Sequence, residues 1–180
     1  MNERLDAAYA PFVASLRTGS FRIPETGWPA ELIAAHIALV NDSIADLAEQ
    51  VAAGAKPSYD NAAAVDESCL RAFADAAGDL VGLAAAVERS AVRLAAAYEA
   101  LGAELGDTPV PVLIRDGGEV AADRPMPIRS FCEGNASRHL RAHSEQLSAL
   151  QVPTAENLPR NRNRRARTSS NRPAPRQRQS

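Results

Sequence analysis

The chain has 180 residues, 46% of them apolar, with 20 basic and 22 acidic side chains and a formal net charge of -2. That length and apolar fraction suit one domain with a core large enough to fold without staples. Two cysteines without CxxC spacing exclude a disulfide framework, and the lack of any apolar run of about 18 residues excludes a helical membrane span.

The charge is unevenly placed. From Arg160 onward there are eight arginines and no acid, which leaves 12 basic against 22 acidic side chains in residues 1–159, a balance of -10. Alanine dominates the middle of the chain and aromatics make up 4%, a composition of high helix propensity that fills thin layers between closely packed helices. An all-α fold is expected. With no leader-like N-terminus, the expected location is the cytoplasm, with Cys69 and Cys132 reduced.

The first segment places Leu5, Tyr9, Phe12, Val13 and Leu16 at helical spacing, with Pro11 expected to kink the helix or delay its regular part. Thr18, Gly19 and Ser20 end it. Pro29 then suits a first helical turn and Glu31 favours the positive end of the dipole, so a second helix is expected from about Pro29 to Ala53. Its apolar stripe of Leu32, Ile33, Ile37, Val40, Ile44, Leu47 and Val51 includes His36, which therefore points inward. Lys56 to Tyr59 reads as a turn. Val65 to Leu105 carries an almost unbroken helical pattern, too long for the bundle unless it bends, with Gly78 and Gly82 the expected places.

Between Thr108 and Pro127 the periodicity changes to alternation at Val110, Val112 and Ile114, with Asp116, Gly117 and Gly118 as a turn signal. A short β-hairpin or extended excursion is expected there, before the last helix. That helix should run from Ile128 to Leu150, its inward stripe carrying Ile128, Phe131, Cys132, Asn135, His139, His143, Leu147 and Leu150. The division is thus a helical domain over residues 1–152 and an arginine-rich tail over 153–180, expected to be disordered because from Pro159 onward it has no apolar residue except Ala166 and Ala174.

His139 and His143 stand four apart, which on a helix puts their Cβ atoms about 6 Å apart on one face, close enough to share an ion. His36 on a neighbouring helix can complete the set. Taken singly, each inward histidine reads as a hydrogen-bonded core residue; three on inward stripes, with none left for the surface, point to a metal site with open positions. Around them, Asn135 either orients an imidazole, touches a ligand or is a buried amide bonded to backbone. Arg138 and Arg141 either meet an anionic substrate or face solvent. Trp28 either walls a cavity or anchors the helix entry, and Cys132 either lines the approach or is a small core hydrophobe.

Two motifs carry a resemblance. The run WPAELIAAH, with Trp28, Leu32 and His36, resembles the W-x3-L-x3-H entry to the second helix of the DinB-like superfamily, and NASRHLRAHSEQL, with His139 and His143, resembles its last-helix motif. The stretch TPVPVLIRDGGEV makes the mycothiol-dependent maleylpyruvate isomerase N-terminal domains the most similar branch. The resemblance covers roughly residues 3 to 150. It implies a four-helix bundle holding a divalent ion, zinc first and nickel second, on side chains matching His36, His139 and His143. It further implies a thiol-using S-transferase or isomerase in which a low-molecular-weight thiol such as mycothiol, or water, meets a small electrophile; by their positions beside His139, Asn135 and Arg138 are the cofactor-binding candidates.

The rest of the chain offers no competing apparatus: no GxSxG elbow, no glycine-rich phosphate loop, no paired cysteines with metal spacing. The alternative is a non-catalytic metal-binding stress or interaction protein whose basic tail contacts polyanions nonspecifically. Without interleaved aromatics, the tail predicts no sequence-specific nucleic-acid binding. An alanine-rich helix face fits either a contact inside the bundle or a homodimer.

Overall fold

A computed structural model describes residues 5–153. The tail expected over 153–180 lies, from residue 154 onward, outside the described span. A 3-10 turn over Leu5–Tyr9 leads into α1 (Ala10–Thr18), with Pro11 seated in the first helical turn, where its missing N–H costs nothing. The proline delays the regular helix instead of kinking it.

Helix α2 (Ala30–Ala52) is the central rod, with Pro29 as its N-terminal cap residue. Residues 32–38 are buried all round the helix, as befits a rod enclosed by other elements. Strand β1 (Tyr59–Asp60), the single turn α3 (Ala62–Val65), α4 (Glu67–Ala77), α5 (Leu80–Ala100) and the single turn α6 (Gly102–Leu105) follow. The expected rod from Val65 to Leu105 is therefore divided. Gly78 sits at φ 88°, which an L side chain resists, while the Asp66 and Asp79 carboxylates cap the two following helices by accepting from Cys69 N at 3.0 Å and Gly82 N at 2.8 Å. Gly82 lets the start of α5 pass against the Ala77 carbonyl, where a Cβ would collide.

Strands β2 (Pro109–Asp116) and β3 (Glu119–Pro127) pair antiparallel, and Gly117 and Gly118, both at positive φ, form the tight turn between them. The sheet exceeds the simple hairpin or excursion expected here. It has three strands in the order β1-β2-β3, because Tyr59, read from the sequence as the end of a turn, and Asp60 after it pair parallel with Val112 and Leu113. Pro109 and Pro111 lie beyond the reach of β1, so their missing donors break no ladder to it.

The last helix is likewise not one continuous α-helix. It comprises α7 (Ile128–Gly134), a π-helical turn over Asn135–His139, and α8 (Leu140–Leu150). Widening one turn by a residue lets the buried stripe resume at Leu140, five positions after Asn135, and continue through Leu147 and Leu150.

Alanines make the close packing possible. Ala34, Ala35, Ala38, Ala45 and Ala48 of α2 are wholly buried, and Ala84, Ala91 and Ala95 of α5 nearly so, allowing these two helices to lie together along their length. One core cluster joins α1, the first half of α2, α5 and α8; a second joins the end of α2, the end of α5, the sheet and α7. Arg93 of α5 adds a surface clamp to Asp46 and Glu49 of α2, of little stability value at that exposure. No helix among the described residues is long and apolar enough to cross a membrane.

Candidate metal centre

His36 comes from α2, His139 from the end of the π turn and His143 from the first turns of α8. Their Nε2 atoms converge: His139 Nε2 stands 2.9 Å from His36 Nε2 and 3.1 Å from His143 Nε2. The three rings are splayed about a common point, with interplanar angles of 58°, 58° and 75°.

The outer ring nitrogens explain which atoms face inward. His36 Nδ1 lies 2.6 Å from the Ala64 carbonyl, which can only accept, so Nδ1 carries the hydrogen and Nε2 presents a lone pair. That carbonyl is free because α3 is one turn long, and the last carbonyls of a helix have no partner within it. His143 Nδ1 donates to Gln146 Oε1 at 2.8 Å, one turn along α8, and leaves its own Nε2 lone pair inward. His139 differs: its Nδ1 is buried with no hydrogen-bond partner among the described residues.

Two lone pairs thus confront His139 Nε2, and a single ring hydrogen there cannot serve both well. A cation resolves the conflict. Three nitrogens at about 2.0–2.1 Å from one ion, with angles between 90° and tetrahedral, are about 2.8–3.4 Å apart, a range that includes the two spacings seen. The three ligand atoms all lie within 4.8 Å of one another, and they are the one such His/Cys/Asp/Glu group among the described residues. The histidines lie close enough to bind a metal ion, and no fourth side chain of those types joins them, so the remaining positions would be open.

Electrostatics suit a cation. Burial pushes His36 down to about 4 and His139 down to about 3, the neighbouring imidazoles adding to the latter, and burial also lowers His143. All three rings are neutral at pH 7.

The trio lies between two cavities. The wider, of about 720 Å³, is bordered by all three histidines, Trp28, Gln146 and Asp116. The narrower, of about 210 Å³, reaches His36 and His139 from the side of the sheet and is walled by Val40, Ile44, Tyr59 and Phe131.

Trp28 is half-buried, its ring 5.0 Å from that of His36 and stacked at 12° and 6.5 Å with that of His143, so it walls the wider cavity. Asn135 hydrogen-bonds to no histidine among the described residues. Its amide donates to Tyr9 Oη at 3.1 Å and Asn41 Oδ1 at 2.8 Å, in a buried network that Asn41 extends to Ser90, so it is bonded to side chains instead of backbone. Arg138 is exposed and borders the narrower cavity, whereas Arg141 pairs with Glu145 one turn along α8. Cys132 is fully buried in the second core cluster, its thiol pushed up to about 12 by burial, and is core.

Sequence reasoning missed Asn61 and Ala64. Asn61 donates from Nδ2 to the Arg115 carbonyl at 2.9 Å and accepts from Arg115 N at 2.7 Å, continuing the β1–β2 ladder with a side chain. It thereby fixes the segment whose next turn offers Ala64 O to His36. The signal was Tyr59-Asp60-Asn61, a strand-forming aromatic followed by an Asx turn in which Asp60 accepts from Ala62 N at 2.9 Å.

Comparisons of the chain with protein-family models, with curated proteins and with solved structures return no match.

Proposed function

We propose that the chain is a metal-dependent, thiol-using enzyme of the S-transferase or isomerase type, built as a DinB-like four-helix bundle from α1, α2, α5 and the composite rod 128–150. His36, His139 and His143 hold a divalent ion, zinc first and nickel second, and the co-substrate is a low-molecular-weight thiol such as mycothiol, or water. The observation that carries this reading is the convergence of three Nε2 atoms whose outer nitrogens leave at least two lone pairs facing one point.

An ion on three neutral imidazoles keeps its full positive charge and lowers the pKa of a thiol or water beside it. The chain's own groups do the rest. Ala64 O and Gln146 Oε1 orient two of the rings, Trp28 shields one side of the trio, and Asp116, the one carboxylate bordering the wider cavity, is our candidate proton acceptor.

Elemental analysis of protein purified without an affinity tag should find about one divalent ion per chain, and His143→Ala should lose it. Absence of stoichiometric metal, or equal occupancy in the variant, defeats the reading. Turnover of a thiol and electrophile panel that requires both metal and thiol supports the enzyme; metal binding without turnover supports the non-catalytic alternative.

A further inference from the structure

The narrower cavity contains more polar chemistry than the metal reading uses. Its walls are apolar, yet it is bordered by donors with no partner among the described residues. The exposed Arg138 guanidinium makes no ion pair or hydrogen bond with the described residues, and the Tyr59 ring forms part of the wall. His139 Nδ1 is buried and unpartnered, and it carries the hydrogen whenever Nε2 serves as a ligand. Asn135 adds one acceptor, its side-chain carbonyl, because its amide nitrogen is committed to Tyr9 and Asn41. His139 Nδ1 is the one buried side-chain N or O among the described residues left without a partner, and together with the Arg138 guanidinium at the cavity's border it suits an occupant that offers an acceptor.

Glycine makes room for the cation. A Cβ at Gly134 would stand 3.1 Å from Arg138 Nη2, so the guanidinium lies across the bare backbone of the preceding turn, at the cavity's border. The volume sets the size: about 210 Å³ is the space of roughly seven waters at about 30 Å³ each.

We propose that this cavity binds a small monocarboxylic acid whose apolar body lies among Val40, Ile44, Met126 and Phe131 and whose carboxylate pairs with Arg138. Calling that acid the electrophile of the reaction rests on the function proposed above; its binding does not. The apolar walls offer no partner to a second anion, so a dicarboxylate of equal length is rejected.

The test titrates hexanoate and phenylacetate, their amides and adipate into the full-length protein, metal-stripped and zinc-loaded, by calorimetry. Both monocarboxylates should bind at least about fivefold more tightly than their amides and more tightly than adipate in either form. Arg138→Gln should abolish the preference while sparing amide affinity. Met126→Trp, which fills the cavity from a half-buried strand position, should weaken all of these ligands, with circular dichroism confirming the fold of each variant. Equal binding of acids and amides, or no binding at all, overturns the proposal. So does a preference that survives Arg138→Gln or appears only with zinc, since the ion itself would then be the anchor. Protein that takes up no metal but keeps an Arg138-dependent preference sinks the metal reading and leaves this one standing.

Discussion

Gln146 is the residue on which the metal hypothesis can be probed most gently. It is exposed and belongs to neither core cluster, yet its side-chain oxygen holds the His143 ring through Nδ1. Groups that orient a ligating imidazole are worth about 10–100-fold in metal affinity. Gln146→Ala should therefore weaken zinc binding by about tenfold in a competitive chelator titration while leaving the unfolding midpoint of metal-stripped protein unchanged. His36 has a sturdier hold, because its partner is a backbone carbonyl that no substitution deletes. The three histidines and their inward placement were legible from stripe positions alone. Asn61 and Ala64 were not, since a polar residue after a two-residue strand and a carbonyl at the end of a one-turn helix leave no periodic trace.

Among the elements, the π turn and the Gly78 break have distinct consequences. Deleting Ser137, an exposed residue in the π turn, should close it to an ordinary α-helix. Leu140, Leu147 and Leu150 would still face the core, but His139 would move along the rod and out of line with His36. The expected result is retained helicity by circular dichroism with stoichiometric metal lost; undiminished metal would show that the widened turn is irrelevant to the site. At Gly78 the penalty is conformational. Gly78→Ala forces a side chain onto φ 88° and should cost at least about 1–2 kcal/mol, lowering the thermal midpoint by several degrees. An unchanged midpoint would mean that the break can relocate. Both glycines near this break were readable as interruptions. The π turn was not, because a stripe of 128, 131, 132, 135, 139 and 143 looks regular until the burial of Leu140 reveals the added residue.

At the scale of the molecule, three neutral imidazoles, one buried and two partly buried, make stability depend on pH. His36 and His139 are lowered to about 4 and about 3 in the fold, against an ordinary value of 6.5. As pH falls below about 6.5 the unfolded chain takes up protons that the folded one refuses. The contribution is therefore complete above that value and declines as pH drops toward 4 and then 3, by up to about 1.4 kcal/mol per unit per ring. Urea unfolding of metal-stripped protein should show a clear fall between pH 7 and pH 5, and zinc should dissociate in the same direction. A flat profile would mean that the rings are more solvated than their burial implies. The helical body, the β excursion and the first-ligand helix were anticipated from period and turn chemistry. The third strand was not, because two residues of parallel pairing lie below any pattern that a sequence can display.

Asn61 also constrains how such a chain can drift over evolutionary time. Its side chain answers a carbonyl and an N–H of Arg115 at once. Aspartate brings acceptors without the donor, serine is too short to reach both, and glutamine displaces its amide by a methylene. The tip at Gly117 and Gly118, by contrast, can lengthen or change while this stitch holds. Descendants of this chain should therefore vary freely at the hairpin's end and stand nearly still at one inconspicuous asparagine some fifty residues upstream.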